Sequence, residues 1–191
     1  MEHFWQRVPG YINNKHPIVF NKMMDLAPKS GTWVEIGSWM GKSASYCVVE
    51  LQRRNMSYMF HCIDPWTGSE EHKDLKVIQE GKLYEEFNKN VLPIRHLIHP
   101  HRMTSEEASK KFKDDSVDVI FIDGDHSYEG VKKDLECWFP KIKSGGVIAY
   151  DDYPRWPSIV KAVHEFHEKH NFPIPEELGQ VIGRVGYWVK P

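Results

Sequence analysis

Four residues in the second half of the chain have the types and spacing for proton or cation chemistry. They are Asp123 and His126 in Phe121-Ile122-Asp123-Gly124-Asp125-His126, and the pair Asp151-Asp152 after Val147-Ile148-Ala149-Tyr150. Each set follows an apolar run of strand length, so the carboxylates close what should be neighbouring strands and converge. Clustered carboxylates either hold a proton at raised pKa or neutralise one another on a cation. An all-oxygen set suits Mg²⁺, Mn²⁺ or Ca²⁺ and leaves positions for water or substrate oxygens, whereas a set that includes His126 suits zinc or iron.

A second constellation lies earlier, in Thr32-Trp33-Val34-Glu35-Ile36-Gly37-Ser38-Trp39-Met40-Gly41-Lys42-Ser43. It reads as a buried strand running into a glycine turn that opens a helix, where backbone can approach a nucleotide-like ligand closely. A phosphate-cradling loop needs a glycine five residues before Gly41, and Ile36 stands there. The dinucleotide fingerprint needs Gly-x-Gly, and Trp39 occupies the second glycine position. An acidic strand end instead suits a cofactor carrying positive charge, and S-adenosylmethionine has a sulfonium and an ammonium. Asp64 closes the next strand, where a carboxylate can accept hydrogen bonds from both hydroxyls of a ribose. Any one of Glu35, Asp64, Asp123, Asp151 and Asp152 is as readily a helix cap. Five together at strand ends point to a ligand.

The elements that must position these residues are legible from periodicity. Strand-length runs at Thr32–Gly37, Tyr58–Asp64, Arg95–His99, Val117–Asp123 and Gly146–Asp151 alternate with helical segments, the pattern of a parallel α/β sheet. Tyr128, Val131, Leu135 and Trp138 form one helical stripe, and Ile159, Val160, Val163 and Phe166 form another after Pro157. Val181-Ile182 and Val185–Val189 flank Gly183-Arg184 as an antiparallel edge hairpin. Residues 1–30 read as one or two helices that pack or form a lid. Residues 65–93 exceed what a crossover requires, carry a helix near Leu83–Asn90, and are expected to contact substrate.

At 191 residues a single domain spanning 1–191 is expected. Its 25 basic and 27 acidic residues nearly cancel, so the charge balance asks for neither nucleic acid nor an anionic membrane. Cys47, Cys62 and Cys137 are odd in number and lie among apolar neighbours, which fits a reduced, cytoplasmic protein. Neither a signal-peptide pattern nor a bilayer-length apolar run is apparent, so a soluble chain is expected. Of the other histidines, His99-x-His101 is an incomplete zinc site, and His164, His167 and His170 describe a helix flank.

Strand, glycine turn, ribose acid and carboxylate cluster in this order resemble the class I S-adenosylmethionine-dependent methyltransferases. The expected fold is α/β, a Rossmann-like seven-stranded, mostly parallel sheet with an antiparallel C-terminal hairpin and helices on both faces. Ile122-Asp123-Gly124-Asp125-His126-Ser127-Tyr128-Glu129-Gly130-Val131 with Gly145-Gly146-Val147-Ile148-Ala149-Tyr150-Asp151-Asp152 resembles the metal-dependent O-methyltransferases of the antibiotic-sugar and catechol types. The resemblance implies that Glu35, Gly37, Ser38, Gly41 and Ser43 form the methionine end of the cofactor site and that Asp64 holds the ribose. Pro65 and Trp66 fall where relatives flank the adenine, and Met103-Thr104-Ser105 where relatives contact its edge, although Pro100-His101-Arg102 departs from the usual glycine-containing turn. Asp123, Asp151 and Asp152 match metal ligands, with Mg²⁺ the cation expected from their oxygen chemistry, and the acid at position 152 follows the sugar type.

His126, three residues after Asp123, matches the sugar-type histidine and is the candidate general base beside Asp123. Metal-bound, a sugar hydroxyl becomes acidic enough for an imidazole with a reference pKa of about 6.5 to take its proton. The expected activity is methyl transfer to a hydroxyl of a sugar or other small molecule, with catechol-like phenols the second choice and a homo-oligomer compatible. Trp39, Tyr153 and Trp156 are expected to wall the cleft, and Trp33 and Trp138 to lie in the core. Rival readings are a metallohydrolase using Asp123, His126, Asp151 and Asp152, which leaves the glycine turn without purpose, and a cofactor-binding module without chemistry.

Overall fold

The fold was obtained as a computed structural model that describes residues 1–191, the side chain of Glu70 excepted. Seven runs form strands: β1 Ser30–Ile36, β2 Ser57–Asp64, β3 Ile98–Arg102, β4 Val117–Ile122, β5 Ile142–Tyr150, β6 Val181–Ile182 and β7 Val185–Val189. They make one sheet in the order β3-β2-β1-β4-β5-β7-β6. The first five pair in parallel, and β7 runs antiparallel to both β5 and β6. The expected α/β architecture with its C-terminal hairpin is therefore present.

Period-two alternation sends successive side chains to opposite faces, each with its own apolar layer. Trp33, Phe60, Phe121, Val147 and Ala149 face one layer with α1 (His16–Leu26) and α2 (Lys42–Arg53). Val34, Ile36, Ile63, Ile120, Ile122 and Ile148 face the other, with α6 (Tyr128–Trp138) and α7 (Pro157–Lys169). Between these elements stand α3 (Lys76–Gln79) and α4 (Leu83–Asn90) in the long β2–β3 connection, and α5 (Ser105–Ser109) after β3. The two predicted helical stripes lie on α6 and α7, and Val131, Leu135, Trp138, Ile159, Val163 and Phe166 are buried.

Several boundaries differ from the sequence pattern. The third strand begins at Ile98, not Arg95, because Leu92–Leu97 winds as a 3₁₀ helix with Pro93 in its first turn. Pro100 lies within β3, which is tolerated because β3 is an edge strand with one unpaired side. The fifth strand begins at Ile142, and its pairing with β4 shifts register between Val117 and Val119 beside the Gly145-Gly146 pair. In the N-terminal segment only Trp5–Arg7 and α1 are helical, and α1 buries Val19, Phe20, Met23 and Met24 as core. No helix among the described residues is long and apolar enough to cross a membrane.

Trp33 is fully buried, stacked on Phe60 at 5.7 Å and edge-on to Tyr58 at 6.0 Å. Trp33→Ala should cost about 3–5 kcal/mol of unfolding free energy in a guanidinium titration. A loss near zero would remove Trp33 from the core.

Candidate active site

The order of the parallel strands reverses between β1 and β4, and a cleft of about 1000 Å³ opens at their carboxyl ends. Backbone bonds continue past the strands there: Gly37 N–H donates to Ile63 O at 2.8 Å, Asp123 N–H to Ile36 O at 2.9 Å, and Asp151 N–H to Ile122 O at 2.9 Å. These bonds set Gly37, Asp64, Asp123 and Asp151 side by side. Gly37 holds φ +83°, and a Cβ there would sit 1.8 Å from the Asp123 carbonyl oxygen, so only glycine fits.

Asp64 ties two loops together at the cofactor end. Its Oδ2 accepts the Trp39 N–H at 2.8 Å and its Oδ1 the Trp66 N–H at 2.6 Å, while the Trp66 indole donates to Trp39 O at 2.7 Å. Both tryptophans have positive φ, 47° and 53°, a strained backbone that these bonds hold in place. Burial pushes the Asp64 carboxyl up, opposed by the two N–H donors. Each carboxylate oxygen keeps acceptor capacity toward the cleft, which Asp64 lines.

Among the predicted cofactor residues, Gly37, Asp64, Pro65, Ser105 and Asp123 line the cleft. Glu35, Ser38, Gly41, Ser43, Trp66 and Met103 do not. Glu35 points to the α2 face beneath the glycine turn, because it alternates with Ile36 along β1. Burial pushes its carboxyl up to about 7, with the Ser38 and Ser43 hydroxyls opposing and the Asp64 charge adding to the rise. Glu35 Oε2 and Ser38 Oγ are buried without a hydrogen-bond partner among the described residues. Trp66 is buried against Tyr84 and Phe87, and Met103 packs on the α6 side of the sheet. A cleft floored by bare backbone at Gly37, with a carboxylate on one wall, fits an adenosyl cofactor.

At the other end His126 overhangs the cleft. Its Nε2 lies 3.9 Å from Asp123 Oδ1 and 3.6 Å from Asp152 Oδ2, its Nδ1 lies 3.0 Å from Glu71 Oε1, and Trp156 packs against the ring. The Asp123 carboxylate raises the His126 pKa against the loss of solvation. Asp123 is itself pushed well above the usual carboxylate range, first by shielding from water and then by the Asp151 charge. Asp125 accepts the Ser127 N–H and hydroxyl and so shapes the turn into α6.

The carboxylates expected to hold a metal converge, but two of them, Asp151 and Asp152, are already ion-paired with other side chains. Both Asp151 oxygens lie 3.1 Å from His16 Nε2, and Arg184 reaches Asp151 Oδ2 at 3.3 Å and Asp152 Oδ1 at 3.1 Å. Against the cost of burial, His16 and Arg184 hold the Asp151 carboxyl below its usual range. No group of three or more His, Cys, Asp or Glu among the described residues has the geometry to hold a metal ion. As arranged, the three carboxylates do not fit a divalent cation.

Tyr153 is buried, with its hydroxyl against Glu176 and His164, so it is not the cleft wall expected of it. Trp39 and Trp156 do line the cleft. Tyr11, Glu71, His72 and Arg155 line it as well, although no motif marks them. Tyr11, Trp39 and His72 form one aromatic group, with Trp39 and His72 ring centroids 4.4 Å apart. His72 and Glu71 lie in the long 65–93 connection, whose excess length is the one sequence signal that points to them.

A family model described as a methyltransferase domain matches residues 34–153, from within β1 to just past Asp152. The chain belongs to this methyltransferase family. An uncharacterized protein of Acanthamoeba polyphaga mimivirus is 27% identical over 172 residues, covering 81% of this chain and 72% of that protein. Among solved structures, the O-methyltransferase NovP superposes with a TM-score of 0.69 at 20% identity, covering 93% of this chain and 78% of NovP. CalS11, a TDP-rhamnose 3'-O-methyltransferase, superposes with a TM-score of 0.59 at 16% identity, covering 91% of this chain and 76% of CalS11. At these identities the two superpositions establish the fold. The methyltransferase is thus an S-adenosylmethionine-dependent enzyme whose matched segment contains the glycine turn, Asp64, Asp123, His126 and the Asp151-Asp152 pair.

Because the folded methyltransferase holds the Glu35 proton more tightly than the unfolded chain, whose value is near 4.5, it loses stability as pH rises from 4.5 through about 7. The loss amounts to about 3 kcal/mol for this group. Denaturation of wild type and Glu35→Gln at pH 5 and pH 8 should show the variant escaping that loss. An identical pH dependence in the two proteins would contradict it.

Proposed function

We propose that this methyltransferase transfers a methyl group from S-adenosylmethionine to a hydroxyl of a sugar or similar small molecule, with His126 as the general base. The carrying observation is the position of His126 Nε2, between Asp123 and Asp152 on the cleft that Gly37 and Asp64 also line. When bound, S-adenosylmethionine supplies an electrophilic methyl on a sulfonium, which departs as a neutral thioether. Gly37 leaves room for its methionine end, with Glu35, Ser38, Gly41 and Ser43 supporting the turn from beneath. Asp64 would hold the ribose hydroxyls, Pro65 and Ser105 would border the adenine, with Trp66 and Met103 packed nearby, and Asp123 would lie toward the cofactor's ammonium.

His126 takes the acceptor's proton at Nε2 as its oxygen bonds to the methyl carbon. The neighbouring Asp152 carboxylate favours the imidazolium that forms, and Asp123, whose carboxyl the site pushes above the usual range, lies beside the same nitrogen. Glu71, 3.0 Å from Nδ1, adds a further negative charge that favours the imidazolium. The aromatic group of Tyr11, Trp39 and His72, with Trp156 on the same cleft, offers apolar faces to a sugar ring. The sugar acceptor is also supported by the acid at position 152 and by the activity of CalS11. Asp123, Asp151 and Asp152 are the residues that the resemblance assigns to Mg²⁺, but the pairing of Asp151 with His16 and Arg184, and of Asp152 with Arg184, leaves no step to route through a cation here.

Calorimetric titration should show one S-adenosylmethionine site per chain, weakened at least roughly tenfold, or about 1.4 kcal/mol, by Asp64→Ala. No binding by the wild type would end the proposal. On an acceptor found with a panel of glycosides, nucleotide sugars and phenols, His126→Ala should retain cofactor binding and lose about 10²–10⁴-fold in kcat. Undiminished turnover would remove His126 as the base.

A further inference from the structure

The hairpin between β6 and β7 turns in two residues, Gly183 and Arg184, with Gly183 at φ +66°. Positive φ at the first turn position favours glycine and aims the next side chain away from the sheet. Arg184 therefore leaves the hairpin toward the strand ends, and its guanidinium spans the acidic pair. One terminal nitrogen lies 3.1 Å from Asp152 Oδ1, and the other lies 3.3 Å from Asp151 Oδ2 and donates to Tyr11 O at 3.1 Å. The Asp151 and Asp152 side chains are only 1% and 7% exposed and that of Arg184 is 18% exposed, so water screens these charges little. His16 lies against both Asp151 oxygens on the far side. A Cβ on Gly183 would strike the Lys15 side chain at 2.9 Å, so the N-terminal segment packs directly on the turn and fixes it.

We propose that Arg184 is the resident cation of this carboxylate cluster, occupying the place between Asp151 and Asp152 that a divalent ion would otherwise take. A guanidinium is charged at every working pH, and this one donates a hydrogen bond to Asp151 and lies at ion-pair distance from Asp152. A hard divalent ion needs oxygen ligands at about 2.0–2.6 Å. Asp151 Oδ2 and Asp152 Oδ1 can supply them only if the guanidinium leaves, breaking its contacts with both acids and with Tyr11. The single positive charge of the C-terminal hairpin thus offsets part of the cluster's negative charge, and the protein has little affinity for Mg²⁺ or Mn²⁺. The inference rests on reading the cluster as the acceptor end of the methyltransferase site, but its test does not depend on turnover.

Mn²⁺ titration followed by the electron paramagnetic resonance of the free ion decides it. The wild type should show no site tighter than about 1 mM. Arg184→Ala and Arg184→Gln, with circular dichroism unchanged, should gain at least roughly tenfold in Mn²⁺ affinity, and adding Asp152→Asn should abolish the gain. A micromolar wild-type site lost on Asp152→Asn would overturn the proposal, as would folded Arg184 variants with no gain. Should those variants fail to fold, the wild-type titration alone is decisive, weak binding supporting the proposal and a micromolar site overturning it. S-adenosylmethionine binding measured in the same samples separates this result from the fate of the methyltransferase reading.

Discussion

The register of the parallel strands is the constraint on which the site depends. Ile36 pairs with Ile63 on one side and Ile122 on the other, and Ile122 pairs with Tyr150. Each strand end then donates one more backbone bond to its neighbour, at Gly37, Asp123 and Asp151. A one-residue slip in any of these pairings would turn an acid from the cleft into a core, because side chains alternate between faces. The closeness of Gly37 to the Asp123 carbonyl follows from the same register, and it is why position 37 cannot carry a side chain.

Chemistry is divided along the cleft by what surrounds each acid. Asp64 is held by two backbone N–H donors and braces a pair of strained tryptophans. Asp123 borders His126, and its shielding from water, with the Asp151 charge beside it, favours its protonated form. Asp151 is locked from behind by His16 and from the side by Arg184, and it is the acid most firmly held as the anion. Carboxylates of one type thus differ in proton affinity because their neighbours differ.

Much of this is legible in the chain. The five parallel runs, the helix at Leu83–Asn90, the stripes of α6 and α7 and the tight hairpin all follow from periodicity and turn chemistry, which act over a few residues. The start of the third strand is not legible, because the Pro93 turn and the strand-interior Pro100 look alike without knowledge of which strand lies at the edge. Glu35 lies on the α2 face, and the alternation Trp33, Val34, Glu35, Ile36 already holds that information. Tyr153 follows the acidic pair immediately yet turns into the core, toward Glu176 and His164.

By itself the sequence determined the class of sheet, the glycine turn and the acids that close the strands, since each is written in residues adjacent along the chain. Only the tertiary structure decided which groups neutralise those acids. His16 lies 135 positions from Asp151 and Arg184 lies 33 positions beyond it, and neither has a local pattern that names its partner. Their meeting depends on α1 packing across the sheet and on β7 returning antiparallel beside β5. Charge pairing in a buried site is set by distance in space, which sequence spacing does not encode once the chain has crossed the sheet.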